Sequence, residues 1–128
     1  MSKFDLFWIW YSGYILFFSK GGDSKGMSFE TIKTNDILKY IGAINVMIID
    51  LRDKHDYDKG HIPTAVNIPY EELEENRSSL PRHFLLIFYC DRGNVSLLAA
   101  RDLMKDGYNI KSLYGGLRAY HGKLDRNR

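Results

Sequence analysis

The residue best suited to covalent chemistry is Cys90, the single cysteine of the chain. It lies between the apolar run 83–89, which predicts a buried strand, and the segment 95–105, whose apolar periodicity predicts a helix. The loop between them contains Gly93, which permits a left-handed turn, so its backbone N–H groups can curl around whatever the sulfur carries. Helix N-termini favour anions and thiolates, and Arg92 adds a positive charge nearby. This arrangement predicts a nucleophilic thiolate.

Two specific interpretations of Cys90 can be weighed at this point. A free cysteine is often a buried packing residue without reactivity. The same strand, loop and helix would also suit a cysteine-dependent phosphatase, which needs an arginine six positions after the cysteine to hold phosphoryl oxygens through two parallel hydrogen bonds. Ser96 occupies that position, and Arg92 lies within the loop, where it does not supply the same geometry. The residues therefore disfavour phosphatase chemistry.

The elements that would position this cysteine alternate along the chain. The continuous apolar run 46–51 predicts a strand covered on both faces, and 83–89, the most apolar run, predicts a central strand. Thr34 is the predicted N-cap of the first helix, and Gly42 is its predicted stop. Strands that alternate with helices indicate the α/β class and a mostly parallel sheet, with Cys90 at a carboxyl end, where ligands bind. The remaining predicted strands cover 64–69 and 110–114, and the predicted helices cover 34–42, 54–59, 70–80, 95–105 and 117–124.

Charge and cysteine content exclude several classes of function. The 128 residues contain 18 Lys and Arg against 16 Asp and Glu, and the basic residues are scattered, so nucleic acid is not an expected partner. A chain of this length is expected to form one domain with a core of its own. A single cysteine cannot form an intramolecular disulfide, and no Cys/His cluster has metal-ligand spacing. A reducing compartment, the cytoplasm, and a metal-free chain are therefore expected.

Residues 1–26 are expected to form a unit separate from the domain 27–128. The run 4–18 is apolar on every side and is followed by a polar, glycine-rich linker. As a helix this run reaches about 22 Å, short of the ~30 Å hydrocarbon core of a membrane, so a full span is not expected. A secretory signal is disfavoured because no small-residue cleavage site follows. Three interpretations remain: an anchor on a membrane surface, a helix packed on the domain or on a partner protein, and a leader that the fold does not need, with Met27 as an alternative start of translation.

Three sequence blocks resemble single-domain rhodaneses, the thiosulfate or persulfide sulfurtransferases. They are DLRDKHDYDKGHIPTAVNIP (50–69), YCDRGNVSLLAARDLMKDGY (89–108) and LYGGLRAY (113–120), in the order of that family. The resemblance covers nearly all of residues 28–124. It implies a parallel five-stranded sheet flanked by helices on both faces, with a strand before Thr34 that the pattern alone does not predict.

The resemblance also implies a catalytic role for the sulfur loop, which we define as residues 90–96. Cys90 would be the nucleophile that becomes a persulfide and carries sulfur from a small-molecule donor, thiosulfate or a persulfide, to a thiol or cyanide acceptor, without a metal or organic cofactor. The alternative is a sulfur-relay or binding module that does not use free thiosulfate and that residues 1–26 dock to a membrane or a partner protein. The implied substrate-binding residues are Asp91, Arg92, Gly93, Asn94, Val95 and Ser96.

Two departures from the family pattern bear on the donor and on the fold. Val95 stands where the family frequently has a second arginine, which leaves Arg92 as the only fixed cation of the sulfur loop. This favours a less charged persulfide donor over the thiosulfate dianion. Thr64 stands where glycine is common, so the backbone there must tolerate a side chain.

Three other residues are of types that often act in catalysis, but they are interpreted as structural. His61 is expected to be a hydrogen-bonded structural histidine. Arg52 is expected to pair with a carboxylate such as Asp56 and to fix the following turn. Arg118 is expected to be a solvated helix residue.

Overall fold

Five parallel strands form one sheet in the computed structural model, which describes residues 30–127. The strands are β1 (Glu30–Ile32), β2 (Val46–Asp50), β3 (Val66–Asn67), β4 (Leu85–Tyr89) and β5 (Asn109–Leu113). Their order across the sheet is β1-β5-β4-β2-β3, and every neighbouring pair is parallel. β4 is therefore central, as its apolar sequence predicts, and β1 is the strand that the family resemblance implies before Thr34.

The helices connect consecutive strands and cover both faces of the sheet, which confirms the α/β class. The α-helices are α1 (Lys54–Lys59), α2 (Leu73–Asn76) and α3 (Asn94–Met104). Short 3-10 helices cover Thr34–Lys39, Tyr70–Glu72, Arg77–Ser79 and Leu117–Ala119. The prediction that Thr34 caps the first helix is wrong by one residue, because Thr34 is already helical and the N-cap position belongs to Lys33.

The charged helix predicted over 70–80 is wrong as a continuous element. The segment is 3-10 at both ends and α-helical only over α2. Side chains take backbone carbonyl oxygens that a continuous helix would use. Asn76 Nδ2 donates to the carbonyl of Glu72, and the hydroxyl of Tyr108 donates to the carbonyl of Arg77. Such bonds compete with the regular helical ladder.

The closing helix predicted over 117–124 is wrong beyond its first turn. Only Leu117–Ala119 are helical, and Tyr120 already has extended backbone. The chain then runs antiparallel to His61, and the two N–H···O bonds between His61 and Asp125 are each 2.9 Å long. Pairing with a distant segment therefore overrides the local helical pattern.

The core lies on both faces of the sheet because side chains alternate along β4. Leu86 and Phe88 face α2 and α3, whereas Ile87 and Tyr89 face the opposite side. All four side chains are fully buried. The first face also buries Ile49, Leu51, Leu73, Leu80, Ala99, Ala100, Leu103, Tyr108 and Ile110. The second face also buries Ile32, Ile37, Ile48, Ile62, Ala65, Leu113 and Tyr120.

The helices within residues 30–127 are all too short or too polar to cross a membrane. The predictions made for residues 1–26 lie outside the described residues. An anchor, a docking helix and a leader therefore stay predictions, as does the start of the domain at residue 27.

A buried ion pair joins Asp50, the last residue of β2, to Arg52. Asp50 is fully buried, and its carboxylate accepts from the Arg52 guanidinium at 2.7, 3.0 and 3.1 Å. Arg52 also donates to the carbonyl of Gly60 at 2.7 Å. Burial opposes the charge of Arg52, but the hydrogen bonds and charge of Asp50 outweigh burial and raise the pKa of Arg52 above its ordinary value. The prediction that Asp56 pairs with Arg52 is therefore wrong. The carboxylate that fixes this turn is that of Asp50.

Thr64 has a backbone conformation that a residue with a branched Cβ rarely adopts. Its φ is 72°, in the left-handed region, and its side chain is exposed. The turn closes when the N–H of Ala65 donates to the carbonyl of Ile62 at 3.0 Å. A left-handed conformation costs a non-glycine residue about 1–2 kcal/mol. Thr64 therefore stores strain without packing that would offset it.

Asp50→Asn is expected to lower the free energy of unfolding by about 3–5 kcal/mol, because breaking a buried pair leaves Arg52 with an uncompensated charge. Urea unfolding at neutral pH measures this loss. Lys54→Gln is the control, since it breaks the exposed pair between Lys54 and Asp58 and should have little effect. Similar losses in the two variants would contradict the role assigned to the buried pair.

Thr64→Gly is expected to raise the free energy of unfolding by about 0.5–1 kcal/mol, because the relief of backbone strain exceeds the entropy that glycine adds to the unfolded chain. The matched control is Asn45→Gly. Asn45 is also exposed and has φ 62°, but asparagine tolerates that region, so a smaller change is expected. Urea unfolding compares the two variants, and a Thr64→Gly protein no more stable than its parent would show that the turn is unstrained.

Candidate active site

The sulfur of Cys90 accepts hydrogen bonds from two backbone N–H groups. Cys90 directly follows β4 and is 4% exposed. The N–H of Gly93 donates to Sγ at 3.1 Å, and the N–H of Ser96 donates to it at 3.4 Å. Both donors lie at the N-terminus of α3, where the helix dipole adds positive potential. The sulfur therefore lies where negative charge is stabilised.

Gly93 makes this geometry feasible. It is the N-cap of α3 and has φ 101° and ψ −13°, a left-handed conformation. A Cβ at this position would lie 3.1 Å from the backbone nitrogen of Gly115. Gly93 therefore supplies both the turn into the helix and the close approach of the neighbouring chain.

The turn at Gly115 and Gly116, which follows β5, holds the sulfur loop from outside. The N–H groups of Leu117 and Arg118 donate to the carbonyls of Cys90 and Asp91 at 2.9 and 3.0 Å. A Cβ on Gly116 would lie 2.5 Å from the carbonyl oxygen of Asp91. Gly116 also has φ 66° and ψ −162°, a region open essentially to glycine alone. No bulkier residue can bring these two loops together in this way.

Two buried hydroxyl groups lie behind the sulfur. Ser96 Oγ is 2.9 Å from Ser112 Oγ, donates to the carbonyl of Gly93 at 3.1 Å, and is 3.7 Å from Cys90 Sγ. Ser96 and Ser112 are both buried. On the outer side, Asn94 Oδ1 is 3.9 Å from Sγ. The sulfur is thus surrounded by polar groups and not only by hydrocarbon.

An open cavity of about 440 Å³ lies beside Cys90. Its lining is Leu51, Arg52, Asp53, Asp56, Tyr70, Glu71, Cys90, Asp91, Arg92, Asn94 and Val95. Five of the seven residues predicted for the site therefore line the cavity. The other two, Gly93 and Ser96, contact the sulfur through their backbone N–H groups. A larger depression of about 730 Å³ at His55, Asp58, Lys59, Arg126 and Asn127 contains no cysteine.

Most of the opposite wall of this cavity is not predicted by the sequence pattern. Leu51 to Asp53 directly follow β2. The backbone at the end of β2 lies beside Cys90, because the N–H of Leu51 donates to the carbonyl of Tyr89 at 2.9 Å. Tyr70 and Glu71 follow β3. The carboxyl ends of parallel strands share one edge of a sheet, so applying that rule to every predicted strand would have found these residues.

The charges around the cavity are unevenly paired. Arg52 is neutralised by Asp50. Asp91 accepts from Arg118 at 3.0 Å and lies 3.9 Å from Arg92. Three further carboxylates, which we name the acidic rim, have no ion-pair partner among residues 30–127 and are exposed. The acidic rim consists of Asp53, Asp56 and Glu71.

Two residues interpreted as structural from the sequence agree with the structure. Arg118 is an exposed residue of the last 3-10 helix, as expected, and its guanidinium also donates to Asp91 at the start of the sulfur loop. His61 is buried, and its Nδ1 lies 2.8 Å from the carbonyl oxygen of Tyr57. Its ring stacks on the ring of Tyr57 at 3.8 Å. His61 is therefore a hydrogen-bonded structural residue, as expected.

Comparison with known proteins identifies relatives of this chain. The family model of the rhodanese-like domain matches residues 33–123 of this chain. The thiosulfate sulfurtransferase GlpE of Shewanella oneidensis is 32% identical over 95 residues, which cover 73% of this chain and 94% of that protein. The tRNA sulfurtransferase of Desulfurococcus amylolyticus is 34% identical over 82 residues. Those residues are 64% of this chain but only 16% of that longer protein.

The fold is shared with solved structures. The crystal structure of a rhodanese-related protein from Thermoplasma volcanium superposes with a TM-score of 0.67 at 28% identity, over 72% of this chain and 90% of that one. The family match over residues 33–123 contains β2 to β5, α3 and the sulfur loop. The chain therefore belongs to the rhodanese-like domain family.

Proposed function

We propose that the chain is a sulfurtransferase in which Cys90 carries a sulfane sulfur as a persulfide. The observation that supports this most directly is the convergence of the Gly93 and Ser96 N–H groups on Sγ, next to an open cavity. Such preorganised donors stabilise negative charge on the sulfur in the way that an oxyanion hole stabilises an oxyanion. A cysteine used only for packing would have no need of them.

The reaction is a double displacement. The Cys90 thiolate attacks the outer sulfur of thiosulfate or of a persulfide, the S–S bond of the donor breaks, and sulfite or a thiolate leaves. A thiol or cyanide acceptor then attacks the terminal sulfur of the Cys90 persulfide and releases the thiolate again. In each step a nucleophile attacks a sulfane sulfur and a thiolate or sulfite leaves with the electron pair of the S–S bond, so the chemistry requires no metal or organic cofactor.

The arrangement does not favour phosphoryl transfer. Ser96 stands where a phosphatase needs an arginine, and its hydroxyl is turned toward Ser112. Arg92 is exposed and has the carboxylate of Asp91 beside it at 3.9 Å. A phosphoryl group at this sulfur would also face the acidic rim. No guanidinium of the sulfur loop is placed to grip it.

Incubation with a sulfane donor is expected to add ~32 Da to the intact protein, because one sulfur atom is transferred to the thiolate. Cyanide should remove the added mass, and Cys90→Ser should abolish the gain. Since the chain has no other cysteine, the mass change reports on Cys90 alone. Intact-mass spectrometry with thiosulfate and with an alkyl persulfide tests this, and no gain with either donor would contradict the proposal.

Gly116→Ala is expected to slow persulfide formation by about 10²–10³, the typical cost of losing one stabilising donor, because the new Cβ must displace the sulfur loop. Gly42→Ala is the matched control. Gly42 also has a left-handed φ, 76°, but its Cβ would meet nothing within 4 Å. The control should therefore form the persulfide at nearly the parent rate. Stopped reactions followed by mass give both rates, and equal rates would show that the orientation of the loop does not matter.

A further inference from the structure

The electrostatic environment of the cavity is opposite in sign to that of the whole chain. The chain carries a formal charge of +2. The cavity is lined by four carboxylates, namely the acidic rim and Asp91, and by the guanidinium groups of Arg52 and Arg92. Arg118, which lies outside the lining, pairs with Asp91, so the acidic rim and Arg92 supply the charges that are not paired in this way. Asp50 already neutralises Arg52. A dianion that approaches Cys90 therefore meets net negative charge.

The wall of the cavity also contains apolar surface that an inorganic donor cannot use. Tyr70 and Val95 supply most of it, since Tyr70 is 45% exposed and Val95 is partly exposed, whereas Leu51 also lines the cavity but is only 3% exposed. An alkyl chain would gain contact with these side chains. An ammonium group attached to that chain would be attracted to the neighbouring carboxylates and to the face of the tyrosine ring.

We infer that the acidic rim determines the donor class of the proposed sulfur transfer, and that the preferred donor is an alkyl persulfide with an ammonium group near its sulfur. This inference rests on the proposed function. The rim discriminates among donors by charge, because its carboxylates are exposed and act through solvent on whatever enters the cavity. Thiosulfate and carboxylate-bearing persulfides are the disfavoured donors.

The transfer balances without another reactant. The Cys90 thiolate attacks the terminal sulfur of R–S–SH, and the S–S bond of the donor breaks as the new S–S bond forms. The electron pair leaves with R–S⁻, and the hydrogen stays on the transferred sulfur. The products are the Cys90 persulfide and the donor thiolate, so neither an oxidant nor a reductant is consumed.

The experiment compares donors of nearly equal size that differ in charge. These are 2-aminoethyl, 2-hydroxyethyl and 2-carboxyethyl persulfide, with thiosulfate as the inorganic donor. The parent protein is expected to show kcat/KM values that fall in that order of charge, with about tenfold between the aminoethyl and carboxyethyl donors at low ionic strength. Raising the ionic strength from about 0.01 to about 0.5 M should shrink this difference, because exposed charges are screened.

A double variant tests the rim directly. Asp56→Asn with Glu71→Gln should raise kcat/KM for thiosulfate about tenfold at low ionic strength and lower it for the aminoethyl donor. Asp36→Asn with Glu75→Gln is the matched control. It removes the same charge from exposed residues that do not line the cavity, so the order of donors should not change.

The outcomes separate this inference from the proposed function. A parent protein that uses thiosulfate or the carboxyethyl donor at least as well as the aminoethyl donor would overturn the inference and leave the function intact. The same holds if the rim variant and the control variant alter the order of donors equally. Absence of a Cys90 persulfide with all four donors would instead overturn the proposed function.

Discussion

Two backbone hydrogen bonds from the segment after β5 hold the sulfur loop in place. The N–H groups of Leu117 and Arg118 hold the carbonyls of Cys90 and Asp91, and with these oxygens fixed the later N–H groups of the loop point at the sulfur. This contact exists because β5 lies beside β4 and both strands end at the same edge of the sheet. The loop after β4 and the glycine turn after β5 are thereby brought together. The geometry around Cys90 thus depends on strand order as much as on the loop itself.

The charge that the cavity presents also depends on contacts between residues, because several of its charged side chains are paired. Asp50 is buried at the end of β2 and fully occupies Arg52, so this arginine supports the cavity wall without offering its charge to a ligand. Arg118 similarly occupies Asp91. What remains for an incoming donor is chiefly the acidic rim together with Arg92. A chain that is basic overall therefore presents an acidic entrance at Cys90, because local pairing, not net charge, determines which side-chain charges the cavity exposes.

The sequence predicted regular elements well where burial is continuous and poorly where side chains compete with the backbone. The apolar runs that became β2 and β4 and the stripe that became α3 needed only hydrophobic periodicity. The segment 70–80 failed because side-chain hydrogen bonds take its backbone carbonyls. The segment after residue 119 failed because Asp125 pairs with His61, which is 64 positions away in the chain. Neither kind of contact can be predicted from the local sequence pattern.

By itself the sequence determined the α/β class, the central place of β4 and the position of Cys90 between a strand and a helix, because these follow from hydrophobic periodicity and from glycine at the loop. It also predicted the loop residues that surround the sulfur. Only the tertiary structure decided that Asp50 and not Asp56 pairs with Arg52, that the turn at Gly116 holds the sulfur loop, and that the ends of β2 and β3 contribute an acidic rim. The physical reason is that these contacts join residues from different strands, and their distances are set by the order of the strands in the sheet.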